Sequence, residues 1–138
     1  MIVARDIMSE HVIVIYKDML ISQVAHLMLR DRVSAFPVID KKIGVTGIIT
    51  MTDLFRIIHQ ASGERKQKEF YKKISYFKEL TVGDVMSQNL VTIKPKTTLS
   101  EIIHLLVIKG IHTFPVIEDG KLVGIVSRHD ILNALFSI

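Results

Sequence analysis

Two short stretches of the chain place a carboxylate three residues after a hydroxyl. Thr50 precedes Asp53 in Gly47-Ile48-Ile49-Thr50-Met51-Thr52-Asp53, and Ser127 precedes Asp130 in Gly124-Ile125-Val126-Ser127-Arg128-His129-Asp130. In each, an apolar strand pattern ends at the hydroxyl and an apolar helix pattern begins. A hydroxyl can donate or accept, and an ionised carboxylate only accepts. A helix N-terminus adds free N–H groups and a field that favours anions. The same spacing is also a capping arrangement, in which the hydroxyl accepts from the third helical N–H. Ligand contact and capping are compatible for Thr50 and Ser127.

The corner occurs twice because the chain repeats itself. Asp6-Ile7-Met8-Ser9 matches Asp84-Val85-Met86-Ser87, Ser22–Leu29 matches Ser100–Val107, and Phe36-Pro37-Val38-Ile39 matches Phe114-Pro115-Val116-Ile117, all 78 positions apart. Asp53 and Asp130 are 77 apart, so the first copy carries one extra residue within Lys41–Thr46, where a turn tolerates it. Two copies at this spacing make a duplicated domain rather than a solenoid.

Each copy reads as β-α-β-β-α. An entry turn ends at Met8 or Met86, and a brief apolar strand follows, Val12–Ile15 or Leu90–Ile93. An amphipathic helix spans about Leu20–Arg30 or Leu99–Lys109. In the second copy Leu99, Ile102, Ile103 and Leu106 form its apolar stripe, and Thr98-x-x-Glu101 forms a capping box. Strands over Phe36–Ile39 or Phe114–Ile117 follow, with the proline expected at the strand start because it cannot donate to a ladder. Asp119-Gly120 marks a tight hairpin turn. The next strand is Val45–Ile49 or Leu122–Val126, and a last helix covers Thr52–Gln60 or His129–Leu135. The division expected is one repeat over 1–60, a linker helix over 61–80 and a second repeat over 81–138. Phe70, Ile74 and Phe77 give the linker one apolar edge. That edge either packs on the module or offers a contact surface for a protein or an anionic polymer.

Composition narrows the function classes. With 138 residues, 49% of them apolar, the chain can bury a core. No cysteine is present, which excludes disulfides, zinc–thiolate sites and a cysteine nucleophile, and fits a cytoplasmic location. Residues 1–6 lack the pattern of a secretory signal, and no apolar run approaches the roughly 20 residues that span a bilayer, so no membrane association is expected. The net charge is +4, of which 61–80 contributes +3 (Arg65, Lys66, Lys68, Lys72, Lys73 and Lys78 against Glu64, Glu69 and Glu79). A basic stripe over the whole fold, as in a nucleic-acid binder, is not evident. The six histidines show no metal-binding spacing, and His26 and His104 read as packing or surface residues. No acid–base pair or partnered nucleophile can be named, so no catalytic residues and no metal site are expected. The methionines read as core filling.

Two tandem β-α-β-β-α units in register, each with Phe-Pro-Val-Ile, a hairpin and Gly-h-h-Ser/Thr-x-x-Asp (h, an apolar residue), resemble a cystathionine-β-synthase (CBS) domain pair. The resemblance covers nearly the whole chain except the linker. It implies an α/β (α+β) fold, with two CBS repeats about a pseudo-two-fold axis and a cleft between them. In that family the cleft commonly binds AMP, ADP, ATP or S-adenosylmethionine, and stand-alone pairs often dimerise. For such a ligand, a carboxylate matches a ribose diol, since its two oxygens accept from two hydroxyls. The resemblance further implies one site of Thr50 and Asp53 with Thr92, His112, Thr113 and Phe114. It implies another of Ser127, Arg128 and Asp130 with Val14, Ser34, Ala35 and Phe36. Backbone groups next to each proline would read the base. Arg128 and His112 are the candidate phosphate ligands, with the forked, permanently charged guanidinium better suited. Thr92 is matched by Val14, so unequal affinities are expected. Arg32 stands where the second copy has Gly110, so either the turn differs or Arg32 reaches the cleft.

The function expected is a regulatory, non-enzymatic module, requiring no cofactor, with the adenosyl compound as regulatory ligand. A homodimer and an unidentified effector protein are its expected partners. The alternative is a ligand-free dimerisation scaffold whose aspartates only cap helices. RNA or DNA binding through the basic linker is a third reading, against which the absence of a wider basic stripe argues.

Overall fold

The computed structural model describes every residue except 64, 89 and 138. In chain order the elements are α1 (Ala4–Ile7), α2 (Ile21–Asp31), β1 (Ala35–Asp40), β2 (Gly44–Thr50), α3 (Met51–Ala61), α4 (Gln67–Lys78), α5 (Val82–Val85), α6 (Leu99–Lys109), β3 (Thr113–Glu118), β4 (Lys121–Ser127) and α7 (Arg128–Phe136). The chain is thus a mixed helix–strand protein with two two-stranded sheets, β1–β2 and β3–β4. The long helices of the two repeats and the hairpin strands fall within about a residue of their expected positions, whereas the linker helix α4 covers only Gln67–Lys78 of the expected 61–80. Among the described residues, no helix is long and apolar enough to cross a membrane.

Two compact units form: Ile13–Leu90, and Met1–Val12 together with Val91–Ile138. Each unit therefore takes its entry turn from the other repeat. In the first unit Ile15, Ile21, Val24, Met28, Phe36, Val38, Ile49 and Val82 make the core. In the second the core is Ala4, Ile93, Leu99, Ile102, Phe114, Val116, Val126 and Ile131. Val82 and Ala4 are the borrowed members, and both are fully buried. Met28 is buried, and Met8, Met19, Met51 and Met86 pack against the cores, as expected of filling residues.

The borrowed turns explain two motifs that repeat in the sequence. Asp6 and Asp84 each end a short cap, accepting from the backbone N–H of Val3 (2.9 Å) and Thr81 (3.1 Å). Against Met8-Ser9 and Met86-Ser87 stand the motif glycines Gly124 and Gly47. Ser9 exchanges backbone hydrogen bonds with Ile125 (2.9 and 3.0 Å), and Ser87 does so with Ile48 (2.9 and 3.0 Å). A Cβ on Gly47 would lie 2.7 Å from the Ser87 carbonyl oxygen, and one on Gly124 would lie 2.6 Å from Met8 Sδ. Glycine there lets the two backbones approach.

The hairpins show where the extra residue went. Asp119 and Gly120 both have positive φ (51° and 76°), as a tight two-residue turn demands. In the first copy three residues, 41–43, span the same gap, with Gly44 at φ 100° and Asp40 Oδ1 accepting from the N–H groups of Lys42 and Ile43. Both strand pairs carry a register shift one residue after the proline-valine step.

Three local expectations are corrected. The entry strands shrink to single bridges, Ile15 with Val38 and Ile93 with Val116. The prolines sit third in β1 and β3, not first. They are tolerated because Pro37 and Pro115 oppose Ile48 and Ile125, whose backbone groups bond to Ser87 and Ser9 instead. No ladder bond is lost, and each proline carbonyl accepts from Ile15 or Ile93 (3.0 and 2.9 Å). At α6 half of the capping box forms, Thr98 Oγ1 accepting from the Glu101 N–H (3.2 Å). The linker helix α4 lies against α2 and α3, and its Phe70, Ile74 and Phe77 are half-buried.

Candidate functional site

Each acidic corner is built by a strand that runs into a helix. β2 ends extended at Thr50 (φ −120°, ψ 160°), and β4 at Ser127 (φ −113°, ψ 170°). Each hydroxyl residue is the N-cap and each aspartate the third helical residue. Thr50 Oγ1 accepts from the Asp53 N–H (3.1 Å), and Asp53 Oδ2 accepts from the Thr50 N–H (2.8 Å). At the second corner Ser127 Oγ accepts from the Asp130 N–H (3.4 Å), while Asp130 Oδ2 accepts from both the Ser127 N–H (2.8 Å) and its hydroxyl (2.9 Å). The capping arrangement read from the sequence is therefore present in both copies.

The two carboxylates differ in what remains available. Asp53 Oδ1 accepts from Arg56 Nη1 at 2.9 Å, and the residue is only 4% exposed. Asp130 is half-buried, and its Oδ1 has no partner among the described residues. Arg56 was missed by sequence reasoning. Its signal was present, since a cation three residues after an acid lies on the same helical face. The Asn133 that occupies its place in the second copy makes no such pair among the described residues.

Within each unit the corner stands beside the pre-proline segment of its own repeat. Ala35 pairs with Thr50, and the Met51 N–H donates to the Ser34 carbonyl (2.7 Å). Thr113 pairs with Ser127. The entry residues join the same groups, for Val14 precedes Ile15, bonded to Pro37, and Thr92 precedes Ile93, bonded to Pro115. Val14, Ser34, Ala35, Phe36, Thr50 and Asp53 thus lie in one unit. Thr92, His112, Thr113, Phe114, Ser127, Arg128 and Asp130 lie in the other.

The members expose different groups. Ser34, Thr92, His112 and Arg128 are exposed, whereas Val14, Thr50, Thr113 and Ser127 are half-buried. Ala35 is buried, and Phe36 and Phe114 belong to the cores. The two phenylalanines can offer a ligand only backbone. Arg32, at the end of α2, adopts the left-handed conformation (φ 54°, ψ 43°) that Gly110 adopts at the end of α6 (φ 66°, ψ 25°). The turn therefore does not differ between the copies. His26 and His104 are exposed on α2 and α6.

The CBS domain family model matches residues 4–60 and 82–137. Among curated proteins, an uncharacterised protein of Methanocaldococcus jannaschii is 28% identical, the match covering 95% of this chain and 89% of that one. This chain spans 50% and 56% of the length of two other such relatives. Among solved structures, the chain resembles CBSX2 in complex with AMP (TM-score 0.77, 25% identity, 98% of this chain and 96% of that one). It also resembles the CBS domain of a CBS domain-containing membrane protein from Sphaerobacter thermophilus (TM-score 0.74, 32% identity, 96% and 86%).

Proposed function

This chain belongs to the CBS domain family, and we propose that it is a regulatory module whose two repeats together bind an adenosyl ligand. The ligand class is AMP, ADP, ATP or S-adenosylmethionine, held in a cleft between the repeats. Binding shifts the conformation or the dimer arrangement, and a partner protein reads that shift. The observation that carries the reading is the Asp130 corner, where a capped helix N-terminus leaves carboxylate Oδ1 without a partner among the described residues. Such an oxygen suits one hydroxyl of a ribose diol, while Ser127 and Arg128 suit a phosphate. The AMP complex of the similar CBSX2 supports the choice of an adenine nucleotide.

His112 and Thr113 beside the second corner, and Ser34 and Ala35 beside the first, supply backbone for the base. Phe36 and Phe114 fix that backbone from the core. Thr92 adds a hydroxyl that Val14 cannot. At the first corner, Arg56 competes with a diol for Asp53 and offers a guanidinium for phosphate. Unequal sites follow from this, with Asp130 the more receptive. The module catalyses no reaction in this reading and works in the cytoplasm.

Thermal shift and calorimetry with AMP, ATP and S-adenosylmethionine test it. A ligand at a hundred times its Kd stabilises the fold by about 2.7 kcal/mol, an easily resolved rise in melting temperature. Asp130→Ala should weaken binding about tenfold or more, the worth of a hydrogen bond to a charged group. Absence of any shift with all three ligands, with Asp53→Ala and Asp130→Ala only destabilising, would sink the proposal. The complete capping boxes and the occupied Asp53 carboxylate favour the second reading, a ligand-free dimerisation scaffold, which would then stand.

A further inference from the structure

The outer face of α4 is unlike the rest of the molecule. The helix lies against α2 and α3, and Phe70, Ile74 and Phe77, its only half-buried residues, mark the inner edge. At about 100° per residue, the opposite face presents Tyr71, Ser75, Lys68, Lys72 and Tyr76 in that angular order. The two lysines are thus flanked by two tyrosines, over a helical rise of about 12 Å from residue 68 to residue 76.

Both rings are open to solvent, Tyr71 at 57% and Tyr76 at 64% exposure. Each is braced by an inner ring, Tyr71 edge-on to Phe70 (centroids 5.5 Å apart) and Tyr76 tilted on Phe77 (5.9 Å). Lys68 makes no ion pair among the described residues, and Lys72 approaches Glu69 only at 4.0 Å. Arg65, Lys66 and Lys78 are exposed nearby. Three of the chain's four net positive charges lie within 61–80.

We infer that this face is a docking surface for single-stranded nucleic acid. Its lysines would contact phosphates, and Tyr71 and Tyr76 would stack on bases. Braced aromatic rings beside lysines suit a strand whose bases are free to splay out, whereas an acidic peptide has no use for stacking platforms. A bilayer is disfavoured because the apolar edge of α4 is already spent on the protein. The inference stands apart from the adenosyl site, since no residue is shared.

The test uses the whole chain with fluorescein-labelled oligo-dT of about twelve nucleotides, roughly matched to a single binding site. Oligo-dT carries no adenine, so binding should persist under saturating AMP. The chain has no tryptophan and three tyrosines, two of them on α4, so quenching of tyrosine emission reports stacking directly. Anisotropy should rise in low salt. Tyr71→Leu with Tyr76→Leu should weaken binding about tenfold or more without changing the salt slope. Lys68→Gln with Lys72→Gln should reduce that slope by about 1.4. These side chains are exposed, so thermal melts should match the parent and exclude misfolding.

No anisotropy change at about 50 mM salt overturns the inference. So does binding that the tyrosine changes leave intact, which would be polyanion attraction only. Tighter, tyrosine-dependent binding to phosphatidylserine vesicles would overturn it in favour of a membrane surface.

Discussion

Arg32 and Gly110 occupy the same turn with the same handedness, and only one of them suits it. A left-handed backbone costs an L-residue about 1–2 kcal/mol, and glycine escapes most of that. Arg32→Gly should therefore raise stability by about 0.5–1 kcal/mol in urea unfolding, after its own entropy cost. Gly110→Arg should lower stability by about 1 kcal/mol or more. The same contrast shows what single residues disclose. Thr50, Asp53, Ser127 and Asp130 were legible as caps and as candidate ligands, because both roles depend on three-residue spacing. Unequal sites were expected from Thr92 against Val14, but the inequality of the two carboxylates was overlooked. It depends on Arg56 closing over Asp53, whereas among the described residues Asn133 makes no such pair with Asp130; a search for matching positions passes over places where the copies differ.

Elements were the most legible level, since each long helix and hairpin strand has its own periodicity or turn chemistry. The entry strands were misjudged because a run of three or four apolar residues looks like a strand whether or not a partner runs beside it. Only Ile15 and Ile93 find one. The Asp-x-Met-Ser turns were visible as a repeat but not as an edge against the motif glycines. Gly47→Ala should cost about 1–3 kcal/mol in denaturant melts, since a carbonyl oxygen would have to move. Gly124→Ala should cost about as much, because the inner side-chain atoms of core-packed Met8 and the Ser9 carbonyl oxygen both crowd the site. At α5 the Asp84 carboxyl is held below its ordinary value by the Thr81 backbone N–H and then by the Thr81 hydroxyl. A depressed carboxyl contributes stability above its unfolded value and loses it as pH falls through the folded one. Thr81→Ala removes the second donor, so NMR titration should find Asp84 moved part of the way back up.

At the scale of the whole molecule, sequence pattern says nothing about which unit a segment joins. Periodicity is local, and the entry turns cross over to units whose other parts are tens of residues away. The compact unit Ile13–Leu90 includes α5, so a fragment 13–90 should melt cooperatively and give a dispersed amide spectrum. A fragment 1–80 should do neither, because it lacks Val82 and the Ser87 edge. A dispersed spectrum for 1–80 and a collapsed one for 13–90 would refute this partition.

The exchange also fixes an order of events during translation. Once Leu90 has cleared the ribosome, one unit has every segment it needs and can close. Residues 1–12, made before that unit, must wait for β3, β4 and α7, made after it, and their loop closure spans more than a hundred residues. A nascent chain stalled past the first unit therefore carries an unplaced segment, with Ala4 and Met8 exposed to chaperones until α7 emerges.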